Sequence, residues 1–255
     1  MQYTLYVPGD SWLHWLDPVS KILLTVAGLA LTFLLPGHLL PALLLLASLA
    51  LLATAGVLRR SGAVFAGVAL IAVTFFVVQG LVYDGNQTPA LALGPVTFYQ
   101  EGLLLGLRLA LRLYNILAAT LILILTTRPS DLVESLMRRG LPSRFGYVII
   151  AVLQIIPVMV EAAARITDAQ RSRGMETEGS LWVRMRAFLP LMGPLVTSSL
   201  IATEERALAL EVRGFASNRR PTFLRDETIP GYAWPVRAAA LAALVLGIAG
   251  RVMLS

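Results

Sequence analysis

Cysteine is absent, which excludes a disulfide framework and any thiolate metal site. Lysine is nearly absent: Lys21 stands alone beside twenty arginines. A P-loop needs a lysine directly after its glycines to reach the nucleotide phosphates. Lys21 sits in Pro18-Val19-Ser20-Lys21 with no glycine-rich loop before it, so the chain is not expected to hydrolyse ATP itself. Two histidines, His14 and His38, lie far apart on different predicted elements, so a paired-histidine metal site is not expected, and no cofactor is. Charge is also scarce. Only 14% of the residues are charged, against about 25% in soluble domains. With 57% hydrophobic residues, that deficit places the chain in the membrane class.

Long uncharged runs are what the sequence has instead. Residues 1–16 hold Asp10 and no early basic residue, so no signal peptide is expected. Residues 22–58 carry no charge, and Pro36-Gly37-His38 interrupts them in the middle. At about 20 residues per span this reads as a helical hairpin, closed by Arg59-Arg60. Residues 61–83 form a third span. Residues 84–100, with Pro89, Gly94 and Pro95, form a loop with room for a strand piece near 91–99. Residues 102–125 form a fourth span, with Arg108 and Arg112 four apart and hence on one face. Intramembrane charge is costly, so that face turns to protein or water, or the arginines snorkel to the interface. Residues 235–254 form a last span. Residues 147–160 are apolar too, but Gln154, Pro157 and the short run before Glu161 fit an amphipathic helix. Glycines 28, 56, 67 and 106 suit close helix packing.

The fold class is therefore all-α: a polytopic membrane protein of about five transmembrane helices, with a helical segment outside the bilayer. Its parts are four spans in residues 1–127, the charged segment in 128–232, and a last helix in 233–255. Between Arg128 and Asp226 lie fourteen of the 21 basic and ten of the 15 acidic residues. The loop between spans three and four carries only Asp84 and Glu101. The positive-inside rule then puts the N-terminus and the charged segment in the cytoplasm. Basic and acidic residues are interleaved there, with no aromatic-plus-basic platform, which argues against nucleic acid.

Three helices of the charged segment end in one chemistry. Pro129-Ser130-Asp131 starts the first, and Arg139-Gly140 ends it. The second runs from about Gly146 to Arg173, and Gly174 stops it. The third is expected to start near Pro194 and to end at Arg213, stopped by Gly214. Glycine accepts the left-handed conformation after a helix, and arginine complements the negative end of the helix dipole. Capping alone accounts for one such end. Two similar ends 40 residues apart (Arg173 and Arg213), each followed by a large apolar residue, suit two similar sockets. An arginine fork offers bidentate bonds to a carboxylate.

At these residues the sequence resembles the transmembrane T component of energy-coupling factor (ECF) transporters. That family carries two Ala-Arg-Gly triplets at the ends of two cytoplasmic coupling helices. Here they read Ser172-Arg173-Gly174 and Val212-Arg213-Gly214, with the alanine replaced in both. Leu16-Asp17-Pro18-Val19-Ser20-Lys21 resembles the start of the family's first span, and Thr126-Thr127-Arg128-Pro129-Ser130-Asp131-Leu132 the opening of its coupling domain. Pro157, Glu161 and Ala169-Gln170 fit the run into the first triplet, and Glu204-Glu205-Arg206 the run into the second. The likeness covers roughly residues 12–225, in order. It implies a non-catalytic subunit of a vitamin or transition-metal importer in the prokaryotic cell membrane. It implies two ATP-binding-cassette subunits docked by both triplets and by the adjoining Arg171 and Glu211. It also implies a separate substrate-binding S component gripped by apolar helix faces, with Arg108 and Arg112 contacting that component or the membrane core.

Two other readings stand beside this one. A conventional importer permease would use Glu161-Ala162-Ala163 to open its coupling loop, but Thr167 and Asp168 stand where its glycine is expected. An integral-membrane enzyme would need an acid/base pair. Glu204 and Glu205 are adjacent on a helix and do not face one another, and Asp131 and Glu134 fit a helix start.

Overall fold

A computed structural model describes residues 6–93, 96–175, 180–215, 217, 222–223 and 229–254. Gly94 and Pro95, and Arg225 and Asp226 at the end of the charged segment, lie outside the described residues. The helices are α1 (Trp12–Trp15), α2 (Pro18–Leu34), α3 (Leu39–Thr54), α4 (Leu58–Val82), α5 (Gln100–Thr126), α6 (Pro129–Arg138), α7 (Ser143–Ser172), α8 (Leu181–Val212) and α9 (Ala233–Leu254). Strands β1 (Pro89–Leu93) and β2 (Val96–Tyr99) form an antiparallel hairpin between α4 and α5. The chain is all-α and polytopic. Four helices (α4, α5, α7 and α9) are long and apolar enough to cross a bilayer, while α2 and α3 are shorter apolar helices. Two compact units divide the chain: residues 2–135 with 227–255, and residues 136–226.

In the first unit α5 is the central helix, packed against α2, α3 and α4, while α9 packs on α2. Small residues let these backbones close up. A Cβ on Gly102 would sit 2.0 Å from the Gln79 carbonyl oxygen of α4, and one on Gly106 would sit 2.9 Å from that of Phe75. Gly28 faces Ala119 across the α2–α5 seam. Gly56 and Gly67 do not fit the packing expectation. Gly56 has φ +71 and ends α3, so it, and not Arg59-Arg60, closes the second span; those arginines lie in the first turn of α4. Gly67 faces open space. The buried core gathers at one end of the helices, where Leu13 and Leu16 meet Leu52, Val57, Ala118, Ile122, Leu125 and Ala233.

Polar groups staple that same end. Asp17 caps α2, its carboxylate accepting from the Ser20 backbone N–H at 3.1 Å, and Pro18 fills the first helical position. Arg237 of α9 donates to Asp17 at 2.7 Å and to the Ser20 hydroxyl at 2.6 Å. Burial alone would raise the Asp17 carboxyl, but the bonds from Ser20 and Arg237 hold it below the ordinary 3.8. Lys21, 2% exposed, donates from Nζ to the carbonyls of Thr126 at 2.9 Å and His14 at 3.1 Å. Its ammonium thereby satisfies a last-turn carbonyl of α5, one of those a helix leaves unpaired. Further along α5, Asn115 donates to the carbonyl of Pro41 in α3 at 2.9 Å.

In the second unit α7 and α8 pack together. The Tyr147 and Phe215 rings, 5.1 Å apart, put the end of α8 beside the start of α7, so the pair is antiparallel. The third helix of the charged segment starts at Leu181 and not near Pro194: α8 runs through both Pro190 and Pro194. Each proline removes one N–H from the ladder, which a 32-residue helix survives.

Candidate functional site

The Arg-Gly ends of α7 and α8 are closed by the same pair of backbone bonds, as is the Arg139-Gly140 end of the shorter α6. At the end of α7, Arg173 is the C-cap and Gly174 follows with φ +83. The Gly174 N–H donates to Arg171 O at 2.9 Å, and the Met175 N–H to Gln170 O at 3.1 Å. At the end of α8, Arg213 is the C-cap and Gly214 has φ +71. The Gly214 N–H donates to Glu211 O at 2.9 Å, and the Phe215 N–H to Leu210 O at 3.0 Å. This doubled bonding is the Schellman termination, with an apolar residue, Met175 or Phe215, in the position that usually packs back on the helix. A Cβ on either glycine would meet nothing within 4 Å. The left-handed backbone alone demands glycine here.

The side chains at both tips face outward. Ser172, Arg173, Val212, Arg213, Arg171 and Glu211 are all exposed, Val212 to 89%. The Ser172 hydroxyl bonds back to Asp168 O at 3.0 Å, so serine in the triplet's first position is absorbed by its own helix. Arg171 is engaged within the chain, whereas the guanidiniums of Arg173 and Arg213 have no partner among the described residues. An unpaired planar fork on a rigid helix end is a ready donor to a carboxylate.

Antiparallel packing separates the tips. Phe215 lies beside Tyr147, at the start of α7, while Arg173 stands at the far end of that helix. At 1.5 Å per residue the separation is on the order of 40 Å. One socket cannot hold both.

The chain matches the family described as Cobalt transport protein, CbiQ, over residues 9–223. The chain belongs to this family. Among its curated relatives is the energy-coupling factor transporter transmembrane protein EcfT of Bacillus selenitireducens, 32% identical, with 97% of this chain and 94% of the relative covered. The same-named protein of Heliobacterium modesticaldum is 32% identical over 94% of each chain. That of Brevibacillus brevis is 30% identical over 95% and 94%. These family ties identify an ECF transporter T component, a multi-pass membrane protein.

The remaining sequence candidates fall elsewhere. Arg108 and Arg112 lie half-buried on α5, in the other unit from the tips. His14 bonds Ser11 and the Val7 carbonyl. Among the described residues no three histidine, cysteine, aspartate or glutamate side chains gather as a metal site. The staple of Asp17, Ser20, Lys21 and Arg237 is the feature that sequence reasoning passed over. Its signal was Asp-Pro-x-Ser, a capping pattern, read only as a likeness to the family's first span.

Proposed function

We propose that this chain is the coupling subunit of an ECF-type importer and that its two Arg-Gly tips dock two separate ATP-binding-cassette ATPase subunits. The observation that carries this reading is the pair of Schellman-terminated long helices, antiparallel to each other, each ending in an arginine with no partner among the described residues. Two like sockets on a two-subunit ATPase match two like tips too far apart to share one. Closure of the ATPases on ATP would then move α7 and α8 as levers. Apolar side chains stand exposed along both, among them Phe145, Val152, Ile156, Trp182, Phe188 and Leu200. In this reading they grip a membrane-embedded S component that binds the vitamin or transition-metal ion, with the tips on the cytoplasmic side.

Co-purification of the complex in mild detergent tests the tips. Arg173→Ala with Arg213→Ala is expected to cut recovery of the ATPase subunits at least tenfold, by loss of charge-assisted bonds worth about 1.5–3 kcal/mol each, with membrane insertion unchanged. Full recovery with retained uptake would sink the docking assignment. Topology is a separate check. Reporters at about residues 90 and 178 should lie outside and inside. Both on the outside would mean that α7 crosses the bilayer, as its length permits.

A further inference from the structure

Arg108 and Arg112 are absorbed by nothing described so far. Arg108 has no hydrogen-bond or ion-pair partner among the described residues, and its Nε is sealed from solvent without an acceptor. Arg112, one turn on, stacks over the Phe33 ring at 5.7 Å. Arg251 of α9 donates to the Phe33 carbonyl at 2.9 Å. Two cations from two helices thus meet at Phe33 near the end of α2, with Arg108 one turn from Arg112 on the same face of α5, and no carboxylate among the described residues answers them.

Helix lengths fix their level. Thr126 lies at the stapled end of the unit, bonded to Lys21, near Trp12 and Tyr232. Arg108 is about 18 residues from Thr126 along α5, and Arg251 about 18 from Ala233 along α9, roughly 27 Å in each case at 1.5 Å per residue. The hydrocarbon core of a bilayer is about 30 Å thick. Arg108 and Arg251 therefore stand at the membrane boundary opposite Arg59-Arg60, where a positively charged group is least expected, and Arg112 lies one turn further in. Around them the surface is apolar: Phe33, Leu39, Leu40, Leu104 and Val252 are all exposed.

We propose that Arg108, Arg112 and Arg251 form a binding site for the phosphate of a phospholipid headgroup, with the acyl chains lying on these exposed apolar side chains. Guanidinium forks match phosphate oxygens in pairs. The apolar rim favours a lipid over a free anion. A lipid so held would fix the boundary level of the short α2–α3 hairpin, whose turn ends beside Arg112.

Native mass spectrometry of the full chain tests this, after purification in mild detergent and addition of phosphatidylglycerol. The unaltered chain should retain bound phospholipid. Arg108→Gln with Arg112→Gln should weaken retention about tenfold or more, by loss of charge-assisted bonds. Arg59→Gln with Arg60→Gln, at the other boundary, should leave it intact, and millimolar inorganic phosphate should not displace the lipid. Equal retention in the Arg108/Arg112 variant overturns the site, and displacement by inorganic phosphate overturns the lipid as its ligand. A variant that keeps its lipid but loses a co-purifying membrane protein would assign the arginines to that partner's carboxylate, and overturns it as well. If the double variant does not fold, Arg251→Gln at the exposed end of α9 gives the reading instead: a several-fold weaker retention supports the site, and unchanged retention overturns it.

Discussion

The stapled end of one unit and the helix tips of the other treat polar groups in opposite ways. In the unit built from α1–α5 and α9, charges at the stapled end are spent inside the chain: Arg237 on Asp17 and Ser20, Lys21 on two carbonyls. In the α7–α8 unit, Arg173 and Arg213 have no partner among the described residues. Apolar burial divides less sharply: of the most apolar stretch, 44% is buried in α5, 11% in α4 and in α9, and none in α7. The stapled end of one unit satisfies its own charges, and the tips of the other leave theirs open among the described residues. Mutations at the staple should therefore be read out as stability, and mutations at the tips as binding.

The largest effect is expected at the staple. Asp17→Ala leaves Arg237 without its carboxylate and α2 without its cap. Breaking such a buried pair costs about 3–5 kcal/mol, visible as a lower melting temperature of the purified chain. Arg237→Ala added to it should cost little more, since the two residues act on one another. Because the folded Asp17 carboxyl titrates below its ordinary 3.8, its contribution is fully present above that pH and is lost as pH falls through the folded value. Asp17→Asn should flatten that acid limb. A melting temperature unchanged by Asp17→Ala would break the contrast between the units.

This staple also marks the limit of what the sequence made legible. Asp17, Pro18 and Ser20 announce a helix start by local chemistry. Their partner Arg237 lies 220 residues from Asp17, and nothing in the spacing of charges links them. The apolar runs gave the helices because burial in lipid imposes a length. Their ends were less legible, since Arg59-Arg60 marks the charge boundary while Gly56 makes the turn. Pro190 and Pro194 hid the true start of α8, because a proline reads as a helix start even where the ladder runs on through it. The Arg-Gly ends were read correctly as helix stops because a Schellman termination depends on a few consecutive residues.

The smallest and sharpest comparison sets glycine against glycine. Gly102→Ala places a Cβ 2.0 Å from a backbone oxygen of α4, which cannot yield as a flexible side chain would. Overpacking of this kind costs about 1–3 kcal/mol or more, again as lowered melting. Gly174→Ala and Gly214→Ala meet open space, and their cost is the left-handed backbone alone, about 1 kcal/mol. That strain lies in the last turn, so global melting should barely move. The helix end that orients Arg173 or Arg213 should fray instead, and ATPase recovery should fall several-fold with each substitution. If Gly174→Ala lowered melting as much as Gly102→Ala, the tip would be part of a packed core. If it changed neither melting nor recovery, the shape of the helix end would be irrelevant to docking, and the guanidinium charge alone would have to account for it.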